Sequence, residues 1–326
     1  MDEKKLICKQ LRREFSKSGW ALVIYYGVMN VCVFLVAFLW TFTLTVGTLL
    51  FSGMTLEQLK QTITEMVLNN GWGYLLAIMI GCILMFLWKK KEFCLKTIWK
   101  QGKPMGPGSF FLILPVFMVT QAASQLMMPV LEWLLGLMGF TISDSVRAAS
   151  GSTDNFSMFF YVCFLAPVFE EILFRGLILR QLEPYGKKFA ILASAFLFGM
   201  FHGNLVQTPY AFVAGLVLGY VAIEYNVIWA MVLHMINNLL LGDTLARLTE
   251  SLPELAQEII FAVVIWGFAI AALMILICQR KKIAAYFRSE QNHPLCMRSF
   301  FTAPGILALT VLMIVNMLLP FLLQLI

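Results

Sequence analysis

Long apolar stretches, separated by short polar segments, fill most of the chain from residue 20 to its end. Several of these stretches reach or exceed the ~20 residues with which a helix crosses roughly 30 Å of hydrocarbon. None of them alternates apolar and polar residues as a membrane barrel strand does. The pattern therefore predicts an all-α fold, a polytopic membrane helical bundle of eight or nine transmembrane helices.

Three of the apolar runs are short and lie close together in the centre of the chain, at residues 189–203, 210–223 and 228–241. Small residues recur at intervals of four in the first two runs, which lets helix backbones approach closely. These small residues are Gly199, Gly203, Ala211, Gly215 and Gly219. The other predicted spans are residues 20–51, 72–88, 109–140, 156–179, 259–278 and 304–326, the last of which makes the ninth.

Composition agrees with a membrane location. Of the 326 residues, 60% are hydrophobic and 13% are charged, whereas a soluble domain has about 25% charged residues. Lys and Arg concentrate beside the ends of apolar runs, at residues 4–17, 89–103, 180–188 and 280–282. By the positive-inside rule these clusters predict a multi-pass protein of the cell membrane with its N-terminus in the cytoplasm.

The net charge and the cysteine spacing exclude two further interpretations. The net charge of +6 is explained by topology and lipid headgroups, and the basic residues form no patch interleaved with aromatic residues, so we expect the lipid bilayer and no nucleic acid as a partner. The seven cysteines form no C-x-x-C pair. The sequence therefore predicts neither a disulfide framework nor a cysteine metal site.

Two adjacent carboxylates and an arginine interrupt the run that begins near residue 156. Each such charge at a bilayer centre costs roughly 2.5 to 3.5 kcal/mol, so Glu170, Glu171 and Arg175 need partners or a function. On a helix Glu171 and Arg175 are four residues apart and can pair, while Glu170 points about 100° away. Glu170 is then an unpaired carboxylate suited to be a general base on a bound water. A purely structural ion network is the alternative for this segment.

Two of the three histidines lie in the same central section as Glu170. His202 follows Phe198 by four residues, which predicts packing of the two rings. His234 precedes Asn238 by four residues, so both project from one helical face and could form an oxyanion hole. An interhelical hydrogen bond is the alternative for that pair. The two histidines differ in their expected depth in the membrane. Counting residues along the helices places His202 nearer the outer boundary and His234 nearer the cytoplasmic boundary, although one site requires them at the same depth.

These positions resemble the motifs of the CPBP intramembrane proteases, a family that includes the CAAX prenyl endopeptidase and the bacterial Abi, or bacteriocin self-immunity, proteins. The motifs E-E-x-x-x-R, F-x-x-x-H and H-x-x-x-N occur in family order on successive hydrophobic segments. In this chain they are Glu170-Glu171-Ile-Leu-Phe-Arg175, Phe198-Gly-Met-Phe-His202 and His234-Met-Ile-Asn-Asn238. The resemblance divides the chain into N-terminal helices at 1–155, about three spans, a catalytic core at 156–242 and C-terminal helices at 243–326.

The resemblance implies an endopeptidase that cleaves a membrane-associated protein or peptide. Glu170 would activate water, His202 would assist, and His234 with Asn238 would stabilise the oxyanion, with Glu171 and Arg175 organising the site. No cofactor is expected, although Glu170, His202 and His234 could in principle hold zinc. The rival functions are a non-catalytic immunity or regulatory scaffold of the same family and a transporter or proton relay, for which matching inverted repeats are not evident.

Overall fold

The structure is a computed structural model that describes residues 3–51, 55, 57–58, 60–62, 70–89, 91–143, 145–146, 155–289 and 295–324. All regular secondary structure within these ranges is helical, which confirms the predicted all-α class. The helices are α1 (Glu3–Phe51), α2 (Trp72–Trp88), α3 (Pro107–Gly136), α4 (156–182), α5 (Lys187–Phe201), α6 (Gln207–Glu224), α7 (Val227–Thr249), α8 (Glu254–Ser289), α9 (Cys296–Phe301) and α10 (Pro304–Leu323).

Each predicted apolar run coincides with one of these helices. Five of them, α1, α3, α7, α8 and α10, are long and apolar enough to cross a membrane, and α2 is a shorter apolar helix. The chain is therefore a multi-pass membrane protein. The central helices α4, α5 and α6 fall outside that group of five, and they bury side chains such as Phe174, Leu197 and Ala222 inside the protein.

Close helix packing in the centre depends on the predicted small residues. A methyl group added at Gly199 would lie 2.8 Å from the Thr208 carbonyl oxygen, and one at Gly215 would lie 3.0 Å from the Ala195 Cα. The first contact is shorter than real side chains show, so a side chain at Gly199 would force α5 and α6 apart. The second contact is tight, and a side chain at Gly215 would require its neighbour to move by a few tenths of an ångström. Gly203, two residues after the end of α5, has a positive φ of 56°, which glycine adopts without strain.

Aromatic rings join the two ends of the chain to this centre. The Phe15 ring of α1 lies 5.3 Å from that of Phe189 in α5 and 6.0 Å from that of Phe300 in α9. All three side chains are fully buried. Such edge-on and tilted aromatic pairs contribute beyond the burial of their area, so α1 and α9 form part of one core with α5.

Hydrogen bonds join segments that the predicted alternation of spans places on the same side of the membrane. At one end the loop after α2 meets the loop after α6, because the backbone N–H of Gly102 donates to the carbonyl of Tyr225 and Lys103 Nζ lies 2.7 Å from Glu224 Oε2. The hydrogen bond to Glu224 raises the pKa of Lys103. At the other end Gln324 Oε1 accepts a hydrogen bond from the backbone N–H of Thr141.

We predict opposite effects for two glycine substitutions in α1. A methyl group at Gly19 would overlap the backbone of Gly305 in α10, whereas nothing lies within 4 Å of the position it would take at Gly27. Gly19→Ala should therefore lower the free energy of unfolding by about 3 kcal/mol. Gly27→Ala should leave it unchanged or raise it by about 0.5 to 1 kcal/mol, because alanine favours a helix.

Thermal unfolding of the two purified variants in one detergent measures this difference. Equal midpoints for Gly19→Ala and Gly27→Ala would contradict the close contact between α1 and α10.

Candidate active site

The two adjacent carboxylates lie where the winding of α4 changes. Glu170 and Glu171 end a regular α-helical segment, Ala166–Glu171, between two π-helical stretches, Tyr161–Leu165 and Ile172–Leu179. Wider π-helical turns are uncommon and occur frequently at functional sites. The change of winding sets how the carboxylates and Arg175 are presented to the helices packed on α4.

Glu171 and Arg175 form the ion pair that their spacing predicts. Arg175 Nη1 lies 2.9 Å from Glu171 Oε1, and both side chains are fully buried. The guanidinium also lies over the face of Phe198, with its Cζ 4.1 Å from the ring centroid, which is a favourable cation–π contact. Gly215 leaves room for it, since a Cβ there would lie 3.1 Å from Arg175 Nη2.

Glu171 has a second partner that the sequence hypothesis did not include. His234 Nδ1 lies 3.0 Å from the same oxygen, Glu171 Oε1. An ionised carboxylate only accepts hydrogen bonds, so Nδ1 carries the proton in this contact. In a neutral ring Nε2 would be the unprotonated nitrogen, and it lies 3.9 Å from Glu170 Oε2.

Glu170 differs from its neighbour in exposure and in partners. Its side chain is 26% exposed, whereas that of Glu171 is 0% exposed. The separation of 3.9 Å between Glu170 and His234 is too long for a direct hydrogen bond, and one water molecule can bond to both atoms. Glu170 is therefore the accessible carboxylate of the pair, and within the described residues its ion-pair contact is the one to His234.

His202 joins the same site through Phe198. The His202 and His234 rings both lie edge-on to the Phe198 ring, with centroids at 4.8 and 5.9 Å. His202 Nδ1 lies 2.8 Å from the Phe198 carbonyl oxygen, and because that oxygen can only accept, Nδ1 is the donor. The structure thus brings His202 and His234 to one site, although residue counting placed them at different depths.

Asn238 is hydrogen-bonded both to α4 and to its neighbour Asn237. One of its amide hydrogens donates to the Val162 carbonyl of α4 at 2.9 Å, and its Oδ1 accepts from Asn237 Nδ2 at 3.0 Å. The interhelical hydrogen bond considered as the alternative is therefore present. One amide hydrogen of Asn238 is left for another acceptor.

A network of hydrogen-bonded polar side chains next to Asn238 was not predicted from the sequence. Gln121 Nε2 of α3 lies 2.9 Å from Asn237 Oδ1 and 2.8 Å from the Tyr210 hydroxyl of α6. This network links α3 and α6 to α7, which carries Asn238. A glutamine inside an apolar span was the available signal, since polar residues in such spans usually have a partner.

Zinc held by Glu170, His202 and His234 is the alternative to a cofactor-free site. Among the residues that the structure describes, no group of three or more His, Cys, Asp or Glu side chains is arranged to hold a metal ion. The hydrogen bond from His234 Nδ1 to Glu171 leaves Nε2 as the nitrogen that a metal ion would use, as in other carboxylate–histidine pairs.

Comparison with known families agrees with the motifs. Residues 152–240 match the family model described as Rce1-like, type II CAAX prenyl endopeptidase. This confirms the resemblance to the CPBP family over a segment that includes all six site residues, and it supports a membrane protease at the level of the family. Neither the curated proteins nor the solved structures gave a match.

We predict that replacing only one member of the buried pair of Glu171 and Arg175 strongly destabilises the protein. Arg175→Met leaves the carboxylate of Glu171 buried without its cation, which should lower the free energy of unfolding by about 3 to 5 kcal/mol. The double variant Glu171→Gln/Arg175→Met removes both charges and should recover part of that loss.

Thermal unfolding of the purified variants checks this prediction. Lys96→Met is the matched control, since Lys96 forms an exposed pair with Glu92 at the same spacing of four residues and should not change stability measurably. Equal losses for Arg175→Met and Lys96→Met would contradict the account of a buried pair.

Proposed function

We propose that this protein is an intramembrane endopeptidase that hydrolyses a peptide bond of a membrane-associated protein or peptide with a water activated by Glu170. The observation that supports this most strongly is the arrangement of Glu170, His234 and Glu171. Glu170 Oε2 and His234 Nε2 face each other at 3.9 Å, while Glu171 holds the other nitrogen of His234. Two acceptors thus converge on a point where one water can bind.

In this mechanism the water donates one hydrogen to Glu170 and the other to His234 Nε2. Its lone pairs are then free to attack the carbonyl carbon of the substrate. As the carbon–oxygen bond forms, Glu170 takes the proton from the water and later gives it to the leaving nitrogen, so that the peptide bond breaks. General acid–base catalysis of this kind contributes about 10² to 10⁴ in rate.

The other site residues are proposed to have supporting roles. Glu171 keeps His234 in the tautomer that accepts from the water, as a buried carboxylate orients a catalytic imidazole elsewhere. In this neutral form His234 donates to Glu171 and not to an oxyanion, so the proposal gives His234 a different role from the one that the resemblance implies. Asn238, with one amide hydrogen left, remains the proposed oxyanion donor. His202, which donates Nδ1 to the Phe198 carbonyl and packs on the Phe198 ring, is proposed to assist by supporting the wall of the site.

We predict that Glu170→Gln abolishes turnover and leaves the protein folded. The amide keeps the size of the side chain but cannot accept the proton, so the rate should fall by about 10² to 10⁴. Glu258→Gln, the same change at an exposed position of α8, should keep the wild-type rate.

The substrate for this assay is found by comparing membrane proteomes of cells that carry the wild type, Glu170→Gln or Glu258→Gln. A precursor that accumulates only with Glu170→Gln is then tested with the purified proteins. Equal turnover by all three would overturn the mechanism. Full complementation of a deletion strain by Glu170→Gln would instead favour the non-catalytic scaffold.

We also predict that cleavage does not depend on a metal ion. Because no metal takes part in the proposed activation of water, turnover should be unchanged after dialysis against a strong chelator. Zinc measured by elemental analysis serves as the control for complete removal. Loss of turnover on chelation that added zinc restores would contradict the proposed mechanism and favour the zinc-dependent alternative.

A further inference from the structure

A groove of about 1190 Å³ lies between α1, α2 and α4, outside the polar site around Glu170. Its apolar part is lined by side chains such as Ala21 of α1, Leu84 of α2 and Leu173 of α4. It opens to the outside of the bundle, because the lining residues Trp20 and Ile24 are 47% and 58% exposed. A hydrocarbon chain could therefore enter it from the bilayer without passing through the protein.

The other end of the groove is basic. Lys9, Arg12, Arg13 and Lys17 line it, all from the first turns of α1. Arg12 donates to Thr302 and Lys17 pairs with Glu14. Lys9 and Arg13 are exposed, and neither has a partner within the described part of the chain. The groove thus presents cations beside an apolar surface, the combination that complements a molecule with an anionic head and a hydrocarbon tail.

The length of the groove corresponds to one leaflet of a bilayer. Arg13 and Tyr25 both line it and are twelve residues apart on α1, which is roughly 18 Å along a helix. Half of the ~30 Å hydrocarbon thickness is about 15 Å. Trp20 and Trp88 also line the groove, and tryptophans are enriched at the level of the headgroups. The basic end therefore lies at the expected cytoplasmic interface, with the apolar part below it.

We propose that this groove binds an anionic phospholipid of the cytoplasmic leaflet. Its phosphate is held by Lys9, Arg12 and Arg13, and an acyl chain runs along α1 towards Tyr25. Basic side chains beside the anionic inner leaflet attract such headgroups, and the apolar lining supplies the area that an acyl chain needs to leave the bulk bilayer. We expect a neutral phospholipid to bind more weakly, because it has the same tail but no net negative charge on its headgroup.

The bound lipid contacts the helix that carries the polar site. Phe169, Leu173 and Leu177 of α4 line the groove, and Phe169 directly precedes Glu170. The Phe169 ring also lies 5.2 Å from that of Tyr25. An acyl chain in the groove therefore packs against α4 and supports it on this side. The binding site itself does not depend on the proposed proteolysis and is tested without it.

Native mass spectrometry of the full chain in detergent, titrated with phosphatidylglycerol or phosphatidylcholine of the same acyl chains, tests this proposal. The wild type should bind phosphatidylglycerol at least tenfold more tightly than phosphatidylcholine. Lys9→Gln/Arg13→Gln should weaken phosphatidylglycerol binding roughly tenfold or more. Lys4→Gln/Lys5→Gln, the same loss of charge on the same helix outside the groove lining, should leave it unchanged.

A second pair of variants tests the apolar part. Ala21→Trp fills the groove and should weaken binding at least tenfold, whereas Val31→Trp, at a position 57% exposed on the same helix, should not.

Equal binding of both lipids, or an equal effect within either pair of variants, overturns the proposal. So does competition by millimolar inorganic phosphate, which would mark a site for a free anion. A change of oligomeric state with Lys9→Gln/Arg13→Gln and no change in lipid binding would assign the groove to a second copy of the chain, and also overturns it.

Discussion

The site depends on one carboxylate oxygen. Glu171 Oε1 receives both the guanidinium of Arg175 and the ring nitrogen of His234, in a position with no exposure to solvent. Burying a carboxylate is unfavourable unless it is paired and hydrogen-bonded, so the fold has to keep both partners in place. Glu171 Oε2 and two nitrogens of Arg175 are buried without a hydrogen-bond partner among the described residues, which makes the two bonds that do form more important.

The surrounding helices are arranged to preserve this contact. The Phe198 ring contacts all three groups, with the Arg175 guanidinium over its face and the His202 and His234 rings perpendicular to it. Gly215 lets α6 come close enough to cover the guanidinium. As a result the two adjacent carboxylates have different environments, with Glu171 fixed inside the protein and Glu170 left accessible. A difference of this kind between paired titratable groups is how one site assigns different chemical roles to identical side chains.

Features set by local geometry could be predicted from the sequence. The helical runs and the pair of Glu171 with Arg175 depend on spacing within one helix, and the structure confirms both. The bond of Asn238 to Val162 and that of His234 to Glu171 join residues 76 and 63 positions apart. These depend on how α4 and α7 rotate against each other, and the π-helical turns of α4 alter that rotation in a way that a regular 3.6-residue period does not reveal.

The central claim is that Glu171 fixes His234 so that Glu170 and His234 Nε2 together hold one water. The most direct measurement is an experimental structure of the wild type at a resolution that shows ordered water. The account predicts a density peak within hydrogen-bond distance of both Glu170 Oε2 and His234 Nε2, with His234 Nδ1 bonded to Glu171. A metal ion at that position, or a His234 ring turned away from Glu171, would contradict it.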